Sequence, residues 1–154
     1  GLERELPENV IANLAGYRAA FVAGDPALVK SILEVRKHSG FMVPWPVQRA
    51  LVAGLSEDAH VAAIKDRYAA RRALLKPAVE AWGLRVDDSQ AGLYLWSSAG
   101  EDSWTTVGRL ADLGILVAPG AFYGAAGAQH VRVALTGTDE RIAAAVTRLA
   151  ASPA

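Results

Sequence analysis

The chain has 154 residues, with 16 basic and 16 acidic side chains and no formal net charge. A balanced charge gives no electrostatic reason to expect a nucleic-acid or anionic-membrane partner. The sequence has no cysteine, which excludes disulfides, thiol catalysis and zinc–thiolate sites and fits a cytoplasmic location. Because no apolar run reaches about 18 residues, no membrane-spanning helix is expected.

The first part of the chain predicts a strand followed by two helices. Residues 14–23 are mostly apolar and indicate a short, buried strand. Asp25 followed by Pro26 is typical of a helix start, and the apolar spacing behind them predicts a helix over about 26–38. Prolines interrupt that helix, and a shorter one is expected over about 46–54.

A longer helix is predicted over about 56–82. Ser56 is the expected N-cap, and Gly83 is expected to end the helix. Pro77 lies inside this span and should kink it or mark a break, because proline cannot donate the helical hydrogen bond.

The part after about residue 83 is expected to be compact by itself, with Trp104 pointing inward. Alternating strands and helices there favour an α/β or α+β layer fold. The predicted elements are strands 84–86 and 92–97, a helix over 101–113, strands 115–118 and 130–135, and a final helix capped by Thr138.

Four motifs in a fixed order carry a family resemblance. They are Asn13 to Arg18, Gly92 to Trp96, Gly114 to Gly120 followed by Phe122-Tyr123-Gly124, and His130 to Leu135. Together they resemble the C-terminal part of fold-type I pyridoxal-phosphate-dependent aminotransferases over about residues 13–150. Leu33 to His38 and Ala118 to Gly124 resemble the actinobacterial N-succinyldiaminopimelate aminotransferases in particular.

The resemblance implies an α/β fold, with residues 1–54 a remnant of the large domain and 55–154 the small domain. It also implies a cytoplasmic, homodimeric parent enzyme with pyridoxal 5'-phosphate as cofactor. Such an enzyme would transfer an amino group between an N-succinyldiaminopimelate-like amino acid and 2-oxoglutarate in lysine biosynthesis.

Two arginines are the main candidate site residues. Arg18 lies in an apolar segment, where a guanidinium needs either a structural ion pair or an anionic ligand. Arg132 lies between Val131 and Val133 and should point to the opposite face of its strand, as a surface or a cleft residue. The resemblance implies that Arg18 contacts the cofactor phosphate and that Arg132 contacts the substrate carboxylate.

Two tyrosines are the remaining candidate site residues. The resemblance allows Tyr94 and Tyr123 to shape the substrate pocket. The residues alone leave other interpretations open, because paired strand aromatics are more often core and a glycine-rich loop often serves only its turn. No metal site is expected, since His38, His60 and His130 share no ligand spacing.

The sequence departs from the family at the cofactor lysine. Counting back eight residues from Arg18 leads to Val10, and valine has no amine with which to hold the cofactor or move a proton. The other cofactor-binding groups of the family belong to the large domain, so the chain alone is expected to be inactive. It is either a fragment of an aminotransferase or an orphan small domain that binds or interacts without catalysis, with an amino-acid sensor retaining Arg132 as a further option.

Overall fold

The computed structural model describes residues 15–40 and 42–152. The described residues divide into two compact units, residues 15–65 (the first unit) and residues 66–152 (the second unit). Val10 lies outside the described residues. None of the described helices is long and apolar enough to cross a bilayer.

Two helices of the first unit form where the sequence predicts them. Helix α1 spans Pro26–His38, and helix α2 spans Trp45–Leu55. The Asp25 carboxylate accepts hydrogen bonds from the backbone N–H groups of Ala27 and Leu28, at 2.9 and 3.0 Å, which confirms the predicted N-cap. Local capping and apolar spacing therefore suffice to define α1.

The predicted strand over residues 14–23 is wrong for the described residues of that segment. Ala15–Tyr17 form a 3-10 helix, and no regular structure follows until α1. All of residues 16–23 except Ala19 are exposed. A strand needs a neighbour for its backbone N–H and C=O groups, and none of the described strands pairs with this segment.

Ser56 does not cap the third helix as predicted. Its backbone N–H donates to the Ala53 carbonyl and its hydroxyl donates to the Val52 carbonyl, so it closes α2 instead. Helix α3 then spans Asp58–Ala81 and continues through Pro77, which marks no break. Gly83, with a φ of 108°, ends this helix as predicted, and the Leu84 N–H returns to the Val79 carbonyl at 3.0 Å.

The second unit contains a four-stranded antiparallel sheet in the order β1-β2-β4-β3. The strands are β1 (Arg85–Asp87), β2 (Tyr94–Ser98), β3 (Ala118–Pro119) and β4 (His130–Ala134). Helices α4 (Ser103–Asp112) and α5 (Asp139–Ala151) complete the unit. The strands predicted over 84–86, 92–97 and 130–135 are confirmed as β1, β2 and β4, and β1 pairs with β2.

The core of the second unit lies between one face of the sheet and the helices. Leu95, Val131 and Val133 point to this face and are at most 5% exposed. Apolar residues from three helices and from β4 surround one cavity of about 450 Å³: Leu75 and Val79 of α3, Leu110 of α4, Ile142 and Leu149 of α5, and Val133 of β4. Because side chains alternate along a strand, the residues between these core positions point to the opposite face of the sheet.

Two predictions in the second unit are wrong. Trp104 is 54% exposed, because the inward face of α4 is formed by Ser103, Thr106 and Leu110. The strand predicted over 115–118 is reduced to β3, which pairs with β4 only through Ala118 and Pro119. Leu116 is 89% exposed, whereas the next residue, Val117, is buried at 7% exposure, so only part of the apolar run is covered by the core.

Candidate functional site

The sheet register gathers polar and aromatic side chains on the face opposite the core. Trp96 is directly opposite Arg132, Asp87 is opposite Trp96, and Ser98 is opposite His130. Direct cross-strand partners share a face, and so do residues two apart along a strand. Tyr94 therefore joins the same face, which we call the open face: Asp87, Tyr94, Trp96, His130 and Arg132.

The Arg132 guanidinium lies between two tyrosine rings. Its central carbon is 4.1 Å from the ring centroid of Tyr94 and 5.2 Å from that of Tyr123. A guanidinium over an aromatic face is held by about 0.5–1 kcal/mol at an exposed site, and more where water is excluded. The structure thus brings together the three residues predicted to contact substrate.

Arg132 differs from the neighbouring arginines in having no polar partner among the described residues. Its buried Nε atom makes no hydrogen bond, and no described carboxylate forms an ion pair with it. Arg71 instead pairs with Asp139 at 2.6 Å, and Arg109 pairs with Glu101 at 2.9 Å. The terminal N–H groups of Arg132, which make no hydrogen bond to a described residue, therefore remain available for an anion.

Arg72 holds the loop in front of β2 and thereby helps to place Tyr94. It donates from Nε to the Ser89 hydroxyl at 3.0 Å and from its second terminal nitrogen to the Gly92 carbonyl. Burial lowers the pKa of Arg72 from its usual range, because the charged guanidinium is partly removed from water. These bonds fix the chain at the entry to β2, two residues before Tyr94.

Two glycines fix the loop that carries Tyr123. A Cβ atom on Gly120 would lie 2.2 Å from the Gly127 carbonyl oxygen and 2.5 Å from that of His130. A Cβ atom on Gly127 would lie 2.3 Å from the Gly120 carbonyl oxygen. Only glycine allows the backbone to approach this closely, and the approach brings Tyr123, on the 3-10 helix Gly120–Tyr123, to the sheet.

The sequence indicated no role for His130 and Asp87, and it offered Trp96 only as the aromatic that shares a strand face with Tyr94. The Trp96 ring stacks on His130 with a centroid distance of 5.1 Å and an angle of 7°, and it meets Tyr123 edge-on at 5.6 Å. His130 Nε2 lies 2.9 Å from an Asp87 carboxylate oxygen. The available signal was spacing: His130 is two residues from Arg132, and Trp96 is two residues from Tyr94.

Arg18 belongs to the first unit and is exposed. Its backbone has a φ of 55°, in the left-handed region that non-glycine residues rarely adopt. No ion pair joins it to another described residue. An exposed guanidinium of this kind can donate two hydrogen bonds to the oxygens of a phosphate.

The residues of this chain fit pyridoxal phosphate only in part. The two arginines are suited to a phosphate and a carboxylate, but Val10 stands where the resemblance leads us to expect the covalent lysine. The four lysines of the chain are Lys30, Lys37, Lys65 and Lys76, all on helices. Lys37 is paired with Glu34 and Lys76 with Glu80. No covalent step can be assigned to the residues present.

A family model described as aminotransferase class I and II matches residues 12–149. The chain belongs to this family. It is 61% identical over 138 residues to a 4-dedimethylamino-4-oxo-anhydrotetracycline transaminase from Streptomyces rimosus, covering 90% of this chain and 38% of that protein. It is 60% identical, over 90% of its length and 33% of the relative, to a probable aminotransferase from Mycobacterium tuberculosis.

A solved aminotransferase structure agrees with the fold. The chain superposes with a TM-score of 0.80 on a probable N-succinyldiaminopimelate aminotransferase from Thermus thermophilus, at 27% identity, covering 92% of this chain and 39% of that one. The predicted family and the predicted fold class, part of the fold-type I aminotransferase fold, are confirmed. The chain spans less than two fifths of the length of these relatives. The aminotransferase family to which it belongs is pyridoxal-phosphate dependent.

Proposed function

We propose that the second unit supplies the substrate-carboxylate side of an aminotransferase active site, and that this chain by itself does not transfer amino groups. In this proposal residues 55–154 are the small domain of the family and residues 1–54 are a remnant of the large domain. Arg132 binds the substrate carboxylate, Tyr94 and Tyr123 shape the pocket around it, and Arg18 contacts the cofactor phosphate.

The observation that supports this proposal most directly is the missing partner of Arg132. A partly buried guanidinium without a carboxylate is costly, since the charge has lost water and gained no anion. The two tyrosine rings offset only part of that cost. A substrate carboxylate would supply the missing anionic partner, because its two oxygens match the planar donors of the guanidinium.

Arg132 would orient a substrate more than it would react with one. A bidentate contact fixes both the position and the plane of the carboxylate, which leaves the atoms next to it in a defined place. The rings of Tyr94 and Tyr123 both contact the guanidinium and restrict its orientation. The described residues place no proton-transferring lysine beside this carboxylate site.

The substrate proposal follows the family and its named relatives. We propose an N-succinyldiaminopimelate-like amino acid and 2-oxoglutarate, in lysine biosynthesis, for a parent enzyme that is cytoplasmic and homodimeric. The Thermus thermophilus neighbour is named for this substrate, whereas the Streptomyces rimosus relative is named for an oxo-anhydrotetracycline. Both kinds of enzyme handle an amino acid or 2-oxo acid partner, and Arg132 would serve that shared partner.

The binding proposal is tested with 2-oxoglutarate and the 154-residue chain. One bidentate contact offers a few kcal/mol against the entropic cost of association, so a dissociation constant of roughly millimolar is expected by NMR titration. Arg132→Ala should weaken this binding at least about tenfold, as expected for one lost charged contact, with little change in stability. Arg67→Ala, an exposed arginine on α3, is the matched control and should bind as the unmodified chain does.

Equal binding by Arg132→Ala would remove the substrate role. A large stability loss in that variant would instead make the residue structural.

Treatment of the chain with pyridoxal phosphate and borohydride, followed by intact mass and peptide mapping, tests the absence of a cofactor lysine. Adducts should be scattered over the four lysines, and a stoichiometric adduct on one of them would contradict the proposal.

A non-catalytic binding domain is the second candidate function. Val10 favours it, because a chain without the lysine can keep the carboxylate site of Arg132 and lose the reaction. An amino-acid sensor would be one form of it. Addition of a large domain from the family distinguishes the two candidates. A sensor should bind the carboxylate with unchanged affinity. A fragment of an enzyme should bind it more tightly, because the active site is then assembled.

A further inference from the structure

The open face contains a connected series of contacts that ends at Arg132. Asp87 is 2.9 Å from His130 Nε2, His130 stacks on Trp96, and Trp96 meets Tyr123 edge-on. Tyr123 and Tyr94 then flank the Arg132 guanidinium. Each member touches the next through a ring face, a ring edge or a hydrogen bond.

Arg132 needs such support because it lacks an ion pair within the described residues. A long arginine side chain has several rotatable bonds, and its orientation is lost unless contacts restrict them. Tyr94 is fixed by its strand, but Tyr123 is on a loop and is 51% exposed. The described ring that meets Tyr123 is Trp96, so the placement of Trp96 decides whether Tyr123 stays over the guanidinium.

His130 is suited to placing Trp96. Its side chain is 17% exposed, and its ring lies within 7° of the plane of the indole. The Asp87 carboxylate fixes the rotation of the imidazole by accepting from Nε2, while Nδ1 is buried and makes no hydrogen bond to a described residue. An imidazole without the Asp87 bond could turn about its side-chain torsions and would no longer hold the indole flat.

We infer that His130, oriented by Asp87, is a positioning residue that acts through Trp96 and Tyr123 to keep the Arg132 guanidinium aimed at a carboxylate. The inference rests on the proposed function of Arg132. It assigns no chemical step to His130, which touches neither the guanidinium nor a ligand in the described contacts. Its effect is on the geometry of carboxylate recognition.

A spectroscopic signature tests this inference apart from ligand binding. The Nε–H proton of Arg132 lies near two aromatic rings, so its NMR signal should be displaced upfield from that of the exposed Arg67. In His130→Ala the displacement should fall by more than about half, because Tyr123 loses its support. His130→Phe keeps a ring beside Trp96 but has no hydrogen bond to Asp87, so it should lower the displacement as Asp87→Ala does.

Ligand binding gives the second readout. His130→Ala should weaken 2-oxoglutarate binding about threefold to fivefold, as expected for the loss of one aromatic contact to the guanidinium. Asp87→Ala should do the same, since it frees the imidazole. Arg85→Ala is the matched control: it removes the other ion-pair partner of Asp87, at 3.1 Å, and should leave the signal and the affinity unchanged.

Three results would overturn the inference. The first is a His130→Ala variant that unfolds as the unmodified chain does and still shows the same Arg132 signal and the same affinity for 2-oxoglutarate. The second is an Arg85→Ala variant that changes the Arg132 signal and the affinity as much as Asp87→Ala does. All three variants of His130 and Asp87 could lose the folded state, which would make the series structural. If Arg132→Ala leaves binding unchanged, the proposed function fails instead, and the Arg132 signal still answers the positioning question through the other variants.

Discussion

The two units use similar sequence patterns with opposite results for burial. Helix α1 in the first unit carries Leu28, Ile32 and Val35 at helical spacing, yet these side chains are 66%, 43% and 68% exposed. Helix α5 in the second unit has the same kind of spacing, and its Ile142 and Leu149 are 4% and 3% exposed. Apolar periodicity therefore predicts the helix in both units but predicts a buried face only where a partner layer is present.

The difference shows what kind of information each unit contains. The first unit has helices defined by local signals, such as Asp25 at the start of α1, and neither α1 nor α2 has a buried residue. The second unit adds a sheet whose register is fixed by long-range pairing. Because the Streptomyces rimosus relative is more than twice as long as this chain, we propose that the apolar faces of α1 and α2 pack against the remainder of a large domain.

Hydrogen exchange should show the largest contrast between the units. Backbone amides paired between β2 and β4 should exchange at least about 1000-fold more slowly than those of residues 18–23, since only the former require opening of a buried core. The measurement is amide exchange by mass spectrometry or NMR on the monomer. Strong protection of residues 18–23 would mean that this segment has a partner and would erase the contrast.

Core substitutions should show the next largest difference. Leu95 is 0% exposed, so Leu95→Ala should lower the free energy of unfolding of the second unit by about 2–5 kcal/mol. Leu28→Ala is the matched control in α1, and it should change stability by less than about 0.5 kcal/mol because its side chain is already in water. Urea denaturation followed by circular dichroism measures both. A comparable loss in the two variants would show that Leu28 is buried in solution.

The fold was predictable wherever one segment carried its own signal. Residues 26–38 were expected to be helical and are, because the cap and the first turn lie within a few residues. Strand β4 and its alternation were expected, and Arg132 does lie on the face opposite Val131 and Val133. These features follow from periods of about 3.6 and 2, which the sequence contains directly.

The errors share one physical cause, which is that they depend on a second segment. Residues 14–23 have the composition of a strand but no described neighbour to pair with. Trp104 follows the helical period, but the sheet meets the side of α4 that carries Ser103, Thr106 and Leu110. Ser56 is a residue type that often caps helices, but its hydroxyl donates to the Val52 carbonyl at the end of α2 and does not cap α3.

The candidate site was half predictable for the same reason. Arg132, Tyr94 and Tyr123 came from motifs, and the structure brings them together. The series through Asp87, His130 and Trp96 needed the register of three strands, since those residues are far apart in the chain. A histidine with no nearby ligand spacing gives no sign of a carboxylate from β1.

The smallest expected effect is a pH-dependent change in stability at the beginning of α5, which is capped differently from the beginning of α1. Asp25 alone caps α1, whereas α5 combines the Thr138 hydroxyl, which accepts from the Arg141 N–H, with Glu140 in the first turn. A hydrogen bond from its own backbone N–H lowers the pKa of Glu140 below its usual 4.5, and the Thr138 hydroxyl adds to this. A lowered folded-state pKa means that the folded chain favours the ionised carboxyl. The resulting stability is present above pH 4.5 and is lost as the pH falls through the lower folded-state value.

Glu140→Gln removes the titration and serves as the reference for this effect. The difference in unfolding free energy between the unmodified chain and this variant should be constant from about pH 7 to about pH 5 and should move in favour of the variant below pH 4.5. The carboxyl is fully exposed, so solvent and salt screen the interaction and the change should be small. Urea denaturation at a series of pH values measures it. A difference that does not depend on pH would show that Glu140 titrates alike in the folded and the unfolded chain, and that its carboxylate does not stabilise the start of α5.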